Sequence, residues 1–360
     1  MHRLPLARAL AARGVDTHVA IPFRADDPRF QGHDFSLHRL SLRRGSLNPF
    51  AEARVLVELV SLSRRLRPAI VHNVTIKPVL YGSMVARLTD TPCIVNSITG
   101  LGYVFSSSEA GARVLKGLVL PWLRYGCNRR NVTMLFENED DLDVYRSAGV
   151  TVEAHSHVVP SSGIEPALFR VREHKPGAVT VMLLGRMLWD KGVGEFVEAA
   201  QAVRRAAPAT RFVLVGGTDP NPESIPEEKL REWQDQGILE YWGWRTDVPQ
   251  VLESADILCL PSYREGLPRA LLEGGAAGLA LITTDVPGCR DAVRSGVSAL
   301  VVPPRDPHAL AQAILNLVTS VELRSALGAE ARADVAQRFA VKSVIDRTFR
   351  VYEESLCRCT

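Results

Sequence analysis

Two glutamates, Glu265 and Glu273, lie in the segment "PSYREGLPRALLEGGAAG" (261–278), and paired carboxylates can act as acid and base. The apolar run "ADILCLPS" predicts a strand that ends at Ser262, and Pro268 predicts the first position of the following helix. Glu265 is then in the loop and Glu273 about five residues into the helix. If both were helical, they would be roughly 12 Å apart along the axis. Hydrolysis of a glycosidic bond needs carboxyls about 5–9.5 Å apart, so the spacing argues against a hydrolytic pair.

Ligand binding fits this spacing better than bond cleavage. Each glutamate would bind its own hydroxyl partners, while the backbone N–H groups of Gly266 and Leu267 point toward a phosphate. Two solvated glutamates are the alternative for this segment taken alone.

A second motif, "LLGRMLWDKGVGEF" (183–196), carries two cations. A buried strand is predicted to end at Gly185 and a helix to begin near Lys191, so Arg186 and Lys191 flank a strand-to-helix loop. Helix N-termini favour anions, and two added cations suit a diphosphate. Two solvated cations on an ordinary loop are the alternative. Because both motifs follow strands of one predicted sheet, together they favour a site for a diphosphate that carries sugar hydroxyls.

Short apolar runs alternate with amphipathic stretches along the whole sequence, which is typical of parallel α/β layers. The polar segment "VREHKPGA" (171–178) predicts a linker. We therefore expect two Rossmann-like domains, 1–170 and 171–340, with parallel sheets facing a central cleft, and a last helix in 341–360 that packs back on the first domain. The predicted strands are 15–22, 35–40, 69–74, 91–98, 132–138, 156–160, 179–185, 211–217, 238–244, 255–262, 279–285 and 299–303.

The sequence begins with a helical pattern over 3–14, where a doubly wound sheet would first place a strand. We expect the first strand of the N-terminal domain to be missing because the start is assigned about 15–20 residues too late; the alternative is a domain that lacks this central strand.

The charge of the chain is uneven. Residues 1–130 hold 19 Lys/Arg and 8 Asp/Glu, whereas the remainder hold 24 and 32, which gives +11 and −8. This polarity predicts an anionic partner for the first half, although an Arg-rich composition bias is an alternative. Zinc-finger and RNP-like motifs are absent, so nucleic acid is not expected. Residues 111–130 mix Leu, Val and Trp with five cations, which indicates either contact with an anionic membrane surface or a core-facing helix with a basic outer face.

No apolar run approaches the roughly 20 residues that span a bilayer, and no signal-peptide pattern is seen. The six cysteines are scattered, without metal-ligand spacing. These features favour a cytoplasmic protein.

The segments "GRMLWDKG", "FVLVGG", "GWRTDVPQVLESADILCLPSYREGLPRALLEGGAAG" and "TTDVPGCRDAV" resemble, in this order, the donor domain of retaining glycosyltransferase family 4, which has the GT-B fold. The resemblance implies that Arg186 and Lys191 bind a donor diphosphate, that Glu265 contacts the transferred sugar and that Glu273 binds the ribose. It implies no cofactor and no metal. The other donor-binding residues that it implies are Gly185, Gly266 and Leu267, with Arg245, Thr246, Asp247 and Val248 flanking the nucleobase.

Segments of the first half, "HNVTIKPVLYGSMVARL" (72–88), "NSITGLGYVF" (96–105) and "LFENEDDLDVYRSAGV" (135–150), resemble bacterial N-acetylgalactosaminyl- and galactosyltransferases that extend polyprenyl-diphosphate-linked saccharides in glycan, O-antigen or capsule assembly. Acceptor recognition is assigned to polar and glycine residues at the ends of two predicted strands: His72, Asn73, Thr75, Lys77, Thr99, Gly100 and Gly102. These polar residues have two interpretations: they recognise the acceptor, or they are ordinary polar loop residues that bind no ligand.

Asp141 and Asp143 could form a DxD-like metal site. The favoured interpretation is helix capping, in which acidic residues lie in the first turn of a helix and interact favourably with its dipole. Gly274 and Gly275 depart from the family, which has better helix formers there, at a cost of up to about 1 kcal/mol each.

The resulting prediction is a metal-independent, retaining transfer of a sugar from a nucleotide sugar, expected to be UDP-linked, to a lipid-linked saccharide at the inner face of the cell membrane. The alternatives are a GT-B sugar-nucleotide 2-epimerase and a non-catalytic nucleotide-sugar-binding protein.

Overall fold

The computed structural model describes residues 3–23, 32, 34–43, 48–101, 105, 110–151, 153–160, 163–171, 177–219, 221 and 223–359. The chain forms two compact units, Met1–Gly163 with Val344–Thr360, and Ile164–Ser343. The second unit thus begins before the boundary that the sequence suggested after residue 170. The reason is local pairing: the Ile164 N–H donates to the Phe339 carbonyl at 2.8 Å, and the Val341 N–H donates to the Ile164 carbonyl at 2.9 Å. Much of the predicted linker, 172–176, lies outside the described residues.

The first unit contains two parallel sheets. In one, β1 (His18–Ile21) pairs with β2 (Ser36–Arg39), and in the other the order is β3-β4-β5-β6. The strands of the second sheet are β3 (Ile70–Val74), β4 (Cys93–Ile98), β5 (Val132–Phe136) and β6 (Ser156–Val158), and the helices are α1 (Leu4–Ala11), α2 (Pro49–Leu66), α3 (Ile76–Leu88), α4 (Ala110–Cys127) and α5 (Glu139–Ser147).

The local sequence explains these elements. Asn48 caps α2 by accepting hydrogen bonds from the Phe50 and Ala51 N–H groups, as its position before Pro49 predicts. Every residue of β4 and β5 is buried, as in a parallel sheet covered on both faces, and the buried set includes the polar residues Asn96, Ser97 and Thr133. The last helix, α13 (Val341–Cys359), contributes Val351 and Tyr352 to an apolar cluster with the central strands of this sheet.

The second unit is built on one parallel sheet with the order β12-β11-β10-β7-β8-β9. This is the doubly wound order, and its topological switch point lies between β7 and β10. The strands are β7 (Thr180–Leu184), β8 (Arg211–Val215), β9 (Glu240–Tyr241), β10 (Ile257–Leu260), β11 (Ala280–Thr284) and β12 (Leu300–Val302). The helices are α6 (Val193–Ala206), α7 (Glu227–Asp235), α8 (Val248–Leu252), α9 (Arg269–Ala276), α10 (Cys289–Ala292), α11 (Pro307–Thr319) and α12 (Val321–Arg338).

The two glycines within α9 have a packing role. A Cβ on Gly274 would lie 2.5 Å from the Leu258 Cδ2, and one on Gly275 would lie 2.9 Å from the Val335 Cγ2. The absent side chains let α9 lie close to β10 and α12. This close approach offsets the helix-propensity cost noted in the sequence.

Each predicted strand segment contains an observed strand, and the strands are parallel, as the α/β interpretation requires. Among the described residues, no helix is long and apolar enough to cross a membrane.

Candidate active site

The loop that follows β7 lies at the switch point of the second sheet. Gly185 extends the strand by donating its N–H to the Val215 carbonyl at 2.9 Å. A single 3-10 turn covers Trp189–Lys191, and α6 begins at Val193, two residues after the predicted start. Gly192, with φ of 70°, joins the turn to the helix, and a Cβ there would lie 2.1 Å from the Pro261 carbonyl oxygen. The loop after β7 therefore packs directly on the segment after β10.

The structure joins two of the predicted site residues in one ion pair. The Lys191 Nζ lies 2.6 Å from the Glu265 Oε1, and the two side chains are only 13% and 14% exposed. The Ser262 hydroxyl donates to the same oxygen at 2.8 Å. Low exposure strengthens this pair relative to one in water, and the serine fixes the carboxylate orientation.

Arg186 extends from the same loop and pairs with a carboxylate that the sequence analysis did not single out. Its Nη1 lies 3.0 Å from the Asp219 Oδ2. Burial raises the pKa of the neighbouring Asp190, with Lys191 and Arg186 opposing that rise. The Glu265 and Asp219 charges also act on Asp190, so all of these groups surround one carboxyl.

Asp190 and Asp219 were missed because each is a single acidic residue in a loop. The available signal was position: Asp190 immediately precedes Lys191, and Asp219 follows the glycine pair after β8. Asp190 Oδ1 is buried and has no hydrogen-bond partner among the described residues.

The backbone that carries Glu265 is held by the loop before α10. The Glu265 N–H donates to the Pro287 carbonyl at 3.1 Å. A Cβ on Gly288 would lie 2.4 Å from the Glu265 carbonyl oxygen and 2.5 Å from that of Gly266. Both carbonyls therefore face Gly288. In trans peptides the N–H groups point the other way, so those of Gly266 and Leu267 are directed away from this loop.

Glu273 is the fifth residue of α9, in agreement with the sequence analysis. Pro268, however, is the N-cap and not the first helical residue, because its backbone is extended (ψ 107°) and the helix begins at Arg269. The Arg269 Nε donates to the Glu273 Oε1 at 2.7 Å. Burial raises the pKa of Glu273, and the arginine opposes that rise.

The loop after β9 holds the residues assigned to the nucleobase. Arg245 and Asp247 form a two-point ion pair of 2.8 and 2.5 Å, whose hydrogen bonds lower the pKa of Asp247 to about 2. Val248 is the first residue of α8. The neighbouring Trp244 is 70% exposed. It lines a cavity of about 550 Å³ together with Gly217, Thr218, Glu227, Arg231, Gln234, Tyr241, Trp242 and Gly243.

In the first unit, polar groups of His72 and Asn73, two of the residues assigned to the acceptor, make internal contacts. The His72 ring nitrogens lie 2.6 Å from the Tyr352 hydroxyl and 2.6 Å from the Ser97 hydroxyl, and burial lowers the pKa of His72. The Asn73 amide donates to Asn96 at 2.9 Å inside the core. These contacts tie β3 to β4 and to α13.

Lys77 is also bound internally, at 2.8 Å from Glu52 Oε1 and 2.8 Å from the Arg43 carbonyl. Thr75 has a φ of 75°, which is unusual for a β-branched residue and costs about 1–3 kcal/mol. Thr99 and Gly100 are half-buried and follow β4. Gly102 lies outside the described residues.

At the start of α5, the Asn138 side chain accepts a hydrogen bond from the Asp141 N–H at 2.8 Å. The acidic residues that follow this N-cap therefore lie in the first turn of the helix, where negative charge is favourable. Over the described ranges, no group of three His, Cys, Asp or Glu is placed to hold a metal ion.

Family models and curated relatives show which class of protein the chain resembles. The family model described as "Glycosyl transferases group 1" matches residues 178–320, and "Glycosyl transferase 4-like" matches residues 1–136. The N,N'-diacetylbacillosaminyl-diphospho-undecaprenol alpha-1,3-N-acetylgalactosaminyltransferase of Campylobacter jejuni is 26% identical over 98% of this chain and 94% of its own length. The UDP-Gal:alpha-D-GlcNAc-diphosphoundecaprenol alpha-1,3-galactosyltransferase of Escherichia coli is 22% identical over 84% of this chain and 79% of its own length.

Among solved structures, the sucrose-phosphate synthase of Thermosynechococcus elongatus superposes with a TM-score of 0.79 at 19% identity, over 97% of this chain and 91% of that one. This similarity shows the GT-B fold. The comparisons give no support to the epimerase alternative, and both bacterial relatives are named as transferases. The family models cover both halves of the chain, and the doubly wound sheet places the paired Lys191 and Glu265 at its switch point. The protein is therefore a glycosyltransferase of the group 1, family 4-like class.

Proposed function

We propose that this enzyme transfers a sugar, with retention of anomeric configuration and without a metal, from a UDP-linked sugar to a polyprenyl-diphosphate-linked saccharide. The observation that carries the proposal is the Lys191–Glu265 pair at the switch point of the second sheet. The names of the two bacterial relatives supply the substrate classes.

In this proposal Arg186 and Lys191 bind the donor diphosphate. Negative charge on the diphosphate grows as its bond to the anomeric carbon breaks, and both cations are already in place to stabilise it. Ammonium has three donors, so Lys191 can contact a phosphate while it holds Glu265. Glu265 thereby stays fixed as a hydrogen-bond acceptor for the sugar hydroxyls. The leaving diphosphate would accept the proton of the attacking acceptor hydroxyl.

Glu273, Gly266 and Leu267 complete the donor site. Glu273 binds the ribose hydroxyls through the carboxylate that Arg269 orients. The N–H groups of Gly266 and Leu267 add hydrogen bonds to the phosphates, on the side opposite Gly288. Arg245, Asp247 and Val248 flank the nucleobase.

The acceptor-binding proposal narrows to Thr75, Thr99 and Gly100. His72, Asn73 and Lys77 hold neighbouring elements through internal hydrogen bonds, so we assign them a supporting role. The strained Thr75 backbone supports a functional role for the loop between β3 and α3, because such strain is retained where function requires it.

Helix α4 is the part of the first unit that we propose contacts the membrane. Val114, Leu118, Trp122 and Tyr125 are 50–66% exposed and lie along one face at helical spacing, while Leu123 on the opposite face is fully buried. An exposed apolar stripe of this kind beside the exposed cations Arg113, Arg129 and Arg130 fits the headgroup layer of an anionic bilayer, and it supports a peripheral position at the inner face of the cell membrane as part of the proposal.

The function is tested with a panel of nucleotide sugars and defined undecaprenyl-diphosphate saccharides in liposomes, with nucleotide release as the readout. We expect UDP release that requires both substrates, and an axial product linkage by NMR from an axial donor. Epimerisation without acceptor, or release unaffected by acceptor, would contradict the proposal.

Membrane contact is tested separately by flotation with anionic and neutral liposomes. Leu118→Glu should abolish salt-sensitive flotation with anionic liposomes. Leu168, which is 66% exposed in the second unit against 64% for Leu118, provides a matched Leu→Glu control. Equal flotation of the two variants with anionic liposomes would show that α4 does not contact the membrane.

A further inference from the structure

The segment that follows β8 runs along the cation-bearing loop. The Met187 N–H donates to the Gly217 carbonyl at 3.0 Å and the Ile225 N–H to the Met187 carbonyl at 2.9 Å. Leu188 and Ser224 form an antiparallel bridge between these contacts. The described residues of this segment (217–219, 221 and 223–225), here called the strap, thus fix the backbone between Arg186 and Lys191.

Within the strap, Asp219 is held in a defined orientation. Its Oδ1 accepts a hydrogen bond from the Asn221 N–H at 3.0 Å, and its own N–H donates to the Ser224 hydroxyl at 3.0 Å. The Ser224 hydroxyl also donates to the Met187 carbonyl at 3.4 Å. The second carboxylate oxygen, Oδ2, is the atom that accepts from Arg186.

Arg186 needs such a partner because its side chain is 48% exposed. A half-exposed arginine samples many rotamers, and ordering it on ligand binding weakens binding. Asp219 takes one Nη1 hydrogen bond, and the guanidinium has five N–H donors in a planar fork, so further donors can serve a phosphate.

We propose that Asp219 is a positioning residue, which orients Arg186 toward the donor diphosphate before the nucleotide sugar binds. This inference rests on the proposed diphosphate role of Arg186. The strap then acts as a scaffold for the donor site, with its backbone fixing the loop and Asp219 fixing the cation.

The experiment is a double-mutant cycle on the full chain with UDP as the probe. Asp219→Ala should weaken UDP binding and raise the donor KM about 2- to 10-fold, the effect of leaving one long side chain to be ordered by the ligand. Turnover at saturating donor should change less. In an Arg186→Ala background the same substitution should have no further effect, whereas a purely structural role would persist there. Asp235→Ala, at an exposed position on α7, controls for the charge change.

A second variant, Asp219→Asn, distinguishes the loss of positioning from a folding defect. The amide oxygen can still accept from Asn221, but the amide N–H2 opposes the Arg186 donors, so UDP binding should weaken while Tm is kept. Unchanged or tighter UDP binding by both Asp219 variants, or an equal loss with and without Arg186, would overturn the positioning role. If Arg186→Ala itself left UDP affinity and kcat/KM at wild-type values, the diphosphate site would fail, and this inference with it.

Discussion

Replacing Gly288 by alanine should damage catalysis far more than it damages the fold. Gly288 has a φ of 79°, and the added Cβ would lie 2.4 Å from the Glu265 carbonyl oxygen and 2.5 Å from that of Gly266. Real Cβ contacts are at least 3.0–3.4 Å, so one of the two backbones must move by about 0.6–1.0 Å. Glu265 is displaced in either case, because its own backbone moves or because the loop whose Pro287 carbonyl accepts the Glu265 N–H moves.

The expected magnitude follows from that displacement. A misplacement of about 1 Å in a group that positions substrate can cost about 100-fold in rate, so kcat/KM should fall about 10- to 100-fold. The positive φ itself costs about 1–3 kcal/mol in an alanine, which appears as lower stability. The two effects can be separated because the second does not depend on Glu265.

Gly296 provides the matched control. Its φ is 72°, but a Cβ there would meet nothing within 4 Å. Gly296→Ala should therefore lose stability by urea denaturation through its positive φ alone, while kcat/KM, measured by UDP release at 25 °C, stays near wild type. Equal kcat/KM losses in the two variants, or wild-type kcat/KM in Gly288→Ala, would refute the argument that the Gly288 contact positions Glu265.

Three further predictions use the same unfolding and UDP-release assays. Lys191→Met should lower kcat/KM about 10- to 150-fold through the loss of one charge-assisted hydrogen bond, and should also lower Tm, because Glu265 is left without its cation. Adding Glu265→Gln should recover Tm but not kcat/KM. Burial raises the pKa of Glu273, so ionisation of this carboxyl destabilises the folded wild-type protein. The unfolding free energy of Glu273→Gln minus that of wild type should therefore increase as the pH rises from about 4.5 to 8. Gly274→Ala should lose about 1–3 kcal/mol of stability by overpacking, whereas Gly117→Ala, at an open helical position, should gain about 0.5–1 kcal/mol.

Much of the fold could be predicted from the sequence because apolar periodicity is a local signal. The runs at 179–185 and 255–262 contain β7 and β10, and the loops after them carry the motifs that define the site. Motif positions relative to strand ends were enough to place Lys191 and Glu265 at the same edge of the sheet. The sheet order brings the two loops side by side, but the ion pair between these residues was not predicted.

Contacts between distant positions could not be predicted in this way. His72 meets Tyr352 across 280 residues, and nothing in the local pattern at either position identifies the other. The Arg186–Asp219 pair depends on the antiparallel strap, which has no periodic signal of its own. A polar residue near a strand end can therefore bind a ligand or hold neighbouring elements together by internal hydrogen bonds. Only its observed partners distinguish these two roles.

Charge pairing in the second unit bears directly on how the donor site works. Arg186 is paired with Asp219, Lys191 with Glu265, and Arg269 with Glu273. The cations assigned to the diphosphate are thus held in place and partly neutralised before any ligand arrives. A nucleotide sugar bound in its ground state gains only part of the attraction of these cations. The extra negative charge that develops on the departing diphosphate meets N–H groups that need no rearrangement. If Arg186 and Lys191 bind the diphosphate as proposed, pairing of this kind favours the transition state over the bound substrate and gives a reason for carboxylates to accompany the cations of an anion site.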